Sequence, residues 1–207
     1  NGETGSVTFI GTVSPAGGNL KEPVTESTKK AARCFYALSQ NRADSKRYPA
    51  IDTLDSYSKY LEYPEFIDYS KEKLDENWVG LVNEARNVLV RGKETEEQIN
   101  ILGDDSVPID YHVTLWKSEF VDFVILQQDA FDKIDATTSL ERQEYMLKKV
   151  INVTRSEFKF EGFEEVAIYF KRLINVFRQM NYTVFKSEEF HKAEEEANAV
   201  LEERIIK

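Results

Sequence analysis

The sequence predicts a mainly α-helical protein: a C-terminal helical bundle domain preceded by a small α/β segment. Three observations carry this. Beyond residue 60, apolar residues recur at three-four spacing through nearly every stretch. Proline, glycine and β-branched runs concentrate before that point. The chain has 207 residues, 41% of them hydrophobic and 31% charged, which supplies a core and a large solvated helix surface.

Val7–Val13 is short, apolar and β-branched, and predicts a buried strand. The chain then breaks at Ser14-Pro15, turns through Gly17-Gly18 and restarts at Glu22-Pro23. Glu26–Leu38 predicts a helix with Ala32, Phe35, Tyr36 and Leu38 toward the core. Arg47–Ile51 predicts a short extended piece held by Pro49, because the residue before a proline avoids the α region. A boundary near residues 58–64, at Tyr63-Pro64, divides the chain into residues 1–60 and 61–207.

Past the boundary, Trp78, Leu81, Val82, Ala85, Val88 and Leu89 line one helix face, with Gly92 as its stop. Thr95 with Gln98 forms a capping-box pattern for a short helix ending at Gly103. Val113, Trp116, Phe120, Phe123 and Val124 continue the pattern. Thr138 and Glu141 form a second capping box before Tyr145, Met146, Val150 and Val153. Phe163, Val166, Ala167, Phe170, Leu173, Ile174 and Phe177 make the cleanest stripe. Ser187 caps a last helix carrying Phe190, Ala193, Ala197, Val200, Leu201 and Ile205. Internal packing accounts for both stripes, and Glu194–Glu196 reads as a solvated helix face.

A net charge of −10 disfavours nucleic acid and anionic membrane as direct partners, since both repel an acidic surface. No apolar run of 18 residues offers a membrane-spanning helix, and no signal peptide opens the chain. Cys34 stands alone, which excludes an internal disulfide and reads as a small buried hydrophobe. These features fit a cytoplasmic protein. No GxxxxGK[ST] loop occurs: Gly92-Lys93 lacks both the earlier glycine and the following hydroxyl. His112 and His191 lie far apart and read as surface or half-buried side chains, with no metal set around them. No carboxylate sits in an evident apolar pocket. On its own residues the chain carries no catalytic constellation.

Four segments bring in a family. Ser14–Thr25 reads SPAGGNLKEPVT, close to SPPGGDFSEPVT of the catalytic A subunit (alpha chain) of V- and A-type rotary ATP synthases. Lys46–Tyr60, KRYPAIDTLDSYSKY, is similar to that family's RHFPAINWLxSYSLY. Ile101–Pro108, ILGDDSVP, is the third segment. Leu126–Asp135, LQQDAFDKID, is similar to its YLQQNAFDxVD. Their order and spacing make the resemblance specific, and it covers nearly the whole chain. It implies the C-terminal part of a longer subunit, with residues 1–60 the end of a RecA-like nucleotide-binding core and 61–207 the helical domain.

From the residues alone, Tyr48 reads as an ordinary core aromatic. The resemblance instead places it, with Pro49 stiffening its loop, against the adenine ring, where a flat π face stacks on a purine for about 1–3 kcal/mol. Phe131 joins it on a loop that closes over the nucleotide, with Gln128 and Ala130 as pocket walls; Thr137 stands where the family often has a second aromatic. Gly103, Asp104, Asp105 and Ser106 form the tip of a helix–turn–helix. The resemblance puts that tip against the central shaft, where the F-type beta subunit has the acidic DELSEED loop; by itself it is an exposed turn.

The implied activity is ATP hydrolysis or synthesis coupled to H⁺ or Na⁺ transport, with ATP or ADP and Mg²⁺ in the full-length subunit. The family's phosphate loop, Mg²⁺-holding residues and catalytic glutamate lie upstream, so no cofactor and no activity are expected of this part alone. The implied partners are the homologous B subunit, which supplies an arginine finger in an alternating hexamer, and the central shaft, on the cytoplasmic side of the cell membrane. Two other readings remain open: the non-catalytic, nucleotide-binding B subunit of the same complex, and a stand-alone helical protein-interaction module.

Overall fold

A computed structural model describes Gly2 and residues 4–206. Its first part runs α1 (Pro23–Ala31), β1 (Cys34–Leu38), α2 (Gln40–Asp44) and β2 (Ile51–Ser58). The strands pair antiparallel, with Cys34 opposite Ser58 and Leu38 opposite Ile51. α1 opens on Pro23, where the missing N–H removes a donor that would have had no helical partner. The Tyr57 hydroxyl donates to the Lys29 carbonyl and ties β2 to the last turn of α1. The register slips between Phe35 and Ala37, and the Ala37 N–H donates to Ser56 Oγ at 3.0 Å.

Val7–Val13 forms no strand, and Val7, Phe9 and Ile10 are 93%, 95% and 87% exposed. A strand holds only when a neighbour takes its N–H and C=O groups, and the two strands among the described residues pair with each other. The helix expected over Glu26–Leu38 stops at Ala31. Cys34–Leu38 is a strand instead, because its aromatic-rich run pairs with β2, and Tyr36 and Leu38 face solvent rather than the core. Of the extended piece expected at Arg47–Ile51 only Ile51 is in a strand, the first residue of β2; Tyr48 and Pro49 form a bend instead, with a cis peptide bond between them. Cys34 is half-buried, its Sγ 3.3 Å from Ser58 Oγ.

The helical part contains α3 (Pro64–Lys73), α4 (Trp78–Leu102), α5 (Ile109–Val121), a π-helical turn (Asp122–Leu126), α6 (Leu140–Arg155), α7 (Phe163–Asn181) and α8 (Glu188–Glu202). α4 and α5 form a helical hairpin; α7 packs on α5 and α8, and α4 on α6. The core runs through Phe120, Val150, Ile151, Phe170, Leu173, Phe177 and Phe190, all fully buried. Each is worth about 1.5–3 kcal/mol in apolar burial. Phe120 meets Phe177 edge-on at 4.9 Å between ring centres.

α4 does not stop at Gly92. It runs as one helix to Gly103, whose φ of +88° closes it, and Thr95 is a buried mid-helix residue rather than a cap. Gly92 serves close approach instead: a Cβ there would lie 2.1 Å from Ser118 Cβ on α5. The cap of α6 is Ser139, one residue past the expected Thr138; its Oγ accepts from the Arg142 N–H at 3.3 Å. Ser187 caps α8 as expected, accepting from the Phe190 N–H at 3.1 Å. α8 ends at Glu202, so Ile205 lies beyond it, bridged to Phe158.

Glu195 and Glu196 are solvated, but Glu194 is not: it accepts from the Tyr145 hydroxyl and pairs with Lys149 at 2.6 Å. His112 is buried, stacked on Phe163 at 5.0 Å with Nε2 3.1 Å from the Asp104 carbonyl oxygen. His191 is exposed beside Glu194.

Candidate functional site

Two loops meet where the strand pair joins the helical part. One leads into β2 and carries Tyr48 and Pro49, joined by a cis peptide bond. The other, residues 127–139, follows the π-turn and carries Gln128, Ala130 and Phe131. The Gln128 N–H donates to the Tyr48 carbonyl at 2.9 Å, so residues 80 apart in sequence lie side by side. All five side chains reach solvent: Tyr48 is 53% exposed and Phe131 98%. The Tyr48 hydroxyl donates to the Ala43 carbonyl at 3.4 Å.

The second loop is braced by its own aspartates. Asp129 Oδ1 accepts from the Phe131 N–H at 2.9 Å, and Asp132 Oδ1 from the N–H groups of Ile134 and Asp135 at 2.9 and 2.8 Å. Asp135 Oδ2 accepts from the Asp129 N–H at 2.6 Å. Burial pushes the Asp135 carboxyl above the ordinary carboxylate range, against the pull of that hydrogen bond and of Arg142. A carboxylate in a pKa-shifting pocket therefore exists where the sequence showed none. Arg142 is itself buried and donates to the Met180 carbonyl.

Behind the loops lies a cleft of about 770 Å³ between β2 and the helices. Thr53 and Tyr57 form one wall, Trp78 and Arg86 another, and Gln127 and Gln128 its rim toward the loops. Gln128 is the one predicted site residue that lines it; Tyr48, Pro49, Ala130 and Phe131 stand outside. Gln127 Nε2 is buried without a hydrogen-bond partner. Arg86 donates to the Leu54 and Ser56 carbonyls at 2.9 and 3.3 Å and holds β2 to α4.

Beneath the Tyr48 loop sits a charge cluster absent from the sequence-based expectations. Arg47 donates to Glu119 at 2.9 and 2.7 Å and to Asp122 at 2.8 Å, and its guanidinium lies 4.8 Å from the Phe123 ring centre. Arg42 pairs with Asp122 at 2.8 Å. The Glu119 hydrogen bond, with both carboxylates nearby, holds the Arg47 proton more firmly than usual. The partners are more than 70 residues apart, so no local pattern announces them.

Gly103, Asp104, Asp105 and Ser106 form the exposed turn of the α4–α5 hairpin, with Ile101 and Leu102 also exposed beside them. At a rise of 1.5 Å per residue, α5 sets this turn about 20 Å from the charge cluster. Among the described residues no group of three or more His, Cys, Asp or Glu side chains is placed to hold a metal ion.

The chain matches two family models. Residues 1–58 match the family model described as ATP synthase alpha/beta family, nucleotide-binding domain, and residues 67–161 match the C-terminal domain of V and A type ATP synthase. The V-type ATP synthase alpha chain of Borrelia duttonii (strain Ly) is 41% identical over 197 residues, covering 94% of this chain and 31% of its own. That of Treponema denticola is 37% identical over 195 residues, covering 94% and 31%. That of Protochlamydia amoebophila (strain UWE25) is 35% identical over 207 residues, covering 100% and 34%. The chain thus spans about a third of the length of these curated relatives.

Proposed function

The chain belongs to the V- and A-type ATP synthase alpha-chain family, and from that premise we propose that it works as the nucleotide-gripping edge and mechanical arm of a rotary ATPase catalytic subunit. The subunit couples ATP hydrolysis or synthesis to H⁺ or Na⁺ transport. The division at residues 60 and 61 is part of this proposal, the first part closing the nucleotide-binding core and the second forming the arm.

The observation that carries the reading is the hydrogen bond from the Gln128 N–H to the Tyr48 carbonyl, which joins the two loops that bear exposed aromatics. Tyr48 offers a π face for adenine, which stacking recognises without base-specific hydrogen bonds. Phe131, on a loop set by its own aspartates, covers the base from a second side, with Gln128 and Ala130 as walls. Bound ATP would supply the β–γ phosphoanhydride whose hydrolysis to ADP and phosphate powers the cycle, and in the synthetic direction the same bond would form from ADP and phosphate. The described residues fit the base end of such a ligand. They offer no cluster for Mg²⁺, and other segments of the subunit would hold the metal and the phosphates.

Closure of these loops on nucleotide swings the helical domain, whose packed core resists deformation and passes the motion to Gly103, Asp104, Asp105 and Ser106. That tip pushes the central shaft. The ligand drives the swing only through its differential affinity for the open and closed states. The homologous B subunit, the neighbour in an alternating hexamer, supplies the arginine finger. No helix among the described residues is long and apolar enough to cross a membrane, and in its complex the protein sits peripherally, on the cytoplasmic side of the membrane.

The test is substitution at Tyr48 in the assembled complex. Tyr48→Ala weakens ATP affinity about tenfold, the equivalent of about 1.4 kcal/mol of lost stacking. Tyr48→Phe keeps the ring and loses only a 3.4 Å hydroxyl contact, so it binds as the parent does. Equal losses in both variants would assign the effect to the hydroxyl and sink the stacking reading.

A further inference from the structure

We propose that Glu119 and Asp122 are positioning residues for the nucleotide base: with Arg42 and Arg47 they form the joint that fixes the Tyr48 loop to α5, and so to the shaft-facing tip. This rests on the functional reading of Tyr48 above and adds the device that sets its register.

The joint is a closed circuit. Asp122 holds Arg47 through its side chain at 2.8 Å, and Arg47 precedes Tyr48. The Tyr48 carbonyl accepts from the Gln128 N–H at 2.9 Å, and Gln128 follows Gln127. The Gln127 N–H donates back to the Asp122 carbonyl at 3.0 Å, the bond that closes the π-turn. Asp122 therefore grips both loops, one by its carboxylate and the other by its backbone. Glu119 adds a bidentate hold on the same guanidinium at 2.9 and 2.7 Å, the arrangement that fixes direction as well as distance.

Burial makes a purely stabilising role a poor account of Asp122 and Arg42, the two inner charges of the joint. The Asp122 side chain is 5% exposed and that of Arg42 15%; their 2.8 Å contact is an ion pair, and Arg42 Nε and Nη2 and Asp122 Oδ1 are buried without hydrogen-bond partners. Well-packed apolar side chains in such a place stabilise as well as a buried ion network or better. What the network adds is geometry, because its partners must meet in one arrangement. α5 begins just after Gly103–Ser106 and ends on this joint, so tip and base loop are the two ends of one helix.

The experiment uses the full-length protein in its complex with Glu119→Gln, Asp122→Asn, Arg47→Lys and the control Tyr48→Ala. Two quantities are read: amide hydrogen exchange at Gln128 without nucleotide, and the affinity of Mg-ATP relative to Mg-tripolyphosphate, which lacks the base. The expected result is at least tenfold faster Gln128 exchange in the three joint variants, and an ATP preference that falls at least fivefold toward that of Tyr48→Ala. The KM for ATP rises by more than kcat falls. If Asp122→Asn fails to assemble, Glu119→Gln, whose side chain is 24% exposed, gives the same readings. Unchanged Gln128 exchange, or an unchanged ATP preference while Tyr48→Ala loses it, overturns the joint and leaves the stacking reading standing. A Tyr48→Ala that keeps the full ATP preference overturns the stacking reading, and the joint's role in base binding with it.

Discussion

Gly92→Ala adds a single methyl at the closest approach of α4 and α5. Built on the native backbone, that methyl lies 2.1 Å from Ser118 Cβ and 2.2 Å from Ser118 Oγ. Carbon atoms in contact sit about 3.5–4.0 Å apart, so the two helices must separate by about 1 Å or more. Two terms oppose each other. Alanine gains up to about 1 kcal/mol of helix propensity over glycine, while overpacking costs about 1–3 kcal/mol. The steric term wins because Cβ is fixed to the backbone of α5 and no rotamer moves it aside. With the full propensity gain set against it, the expected net loss is up to about 2 kcal/mol, read as a lower urea midpoint for the chain followed by circular dichroism.

Ser118→Gly removes both blocking atoms and by itself costs about 0.5–1 kcal/mol as a mid-helix glycine. The double variant should then be more stable than the sum of the singles by at least about 1 kcal/mol, well outside the additivity of about 0.3–0.5 kcal/mol seen for independent sites. Additive effects, or a Gly92→Ala more stable than the parent, would refute the close-contact account.

Phe120→Ala empties a fully buried site against Phe177 and should cost about 3–5 kcal/mol. Phe131→Ala, at a 98% exposed ring, should change stability by less than about 0.5 kcal/mol; urea unfolding of both variants checks the contrast. Asp135 is an acid whose folded pKa is raised by burial, so the native state binds more protons there than the unfolded state. Its contribution to stability therefore falls as pH rises from the unfolded value, about 3.9, through the raised folded value. Relative to the parent, Asp135→Asn should gain as pH rises through that window, and an advantage that grows on acidification would contradict the burial account. The 207-residue chain, lacking any GxxxxGK[ST] loop, should show no magnesium-dependent ATP turnover; a phosphate-release assay giving measurable turnover by pure chain would defeat the division of labour proposed above.

What the sequence makes legible follows from the range of the forces involved. The stripe from Val166 to Phe177 and the cap at Ser187 are local patterns, and they appear in α7 and α8 as expected. Gly92 misleads because a glycine looks alike whether it ends a helix or admits a neighbour, and only Ser118, 26 residues on, decides. Cys34–Leu38 goes to a strand because β2 pairs with it, which no helical window registers. The predicted site residues rest on segment resemblance, and the fold brings Tyr48 beside Gln128 on adjoining loops. The joint between Arg47 and Asp122 carries no signal of its own, since each member alone reads as one more surface charge.

The exposed run Ser6–Val13 has a consequence for the chain on its own. It contains no charge and no proline, is rich in β-branched residues, and shows Val7, Phe9 and Ile10 to water. Such a run is a template for cross-β stacking between molecules. Self-association then begins from a stretch that the acidic surface elsewhere does not shield, and colloidal behaviour depends on whether a partner sheet covers those few residues.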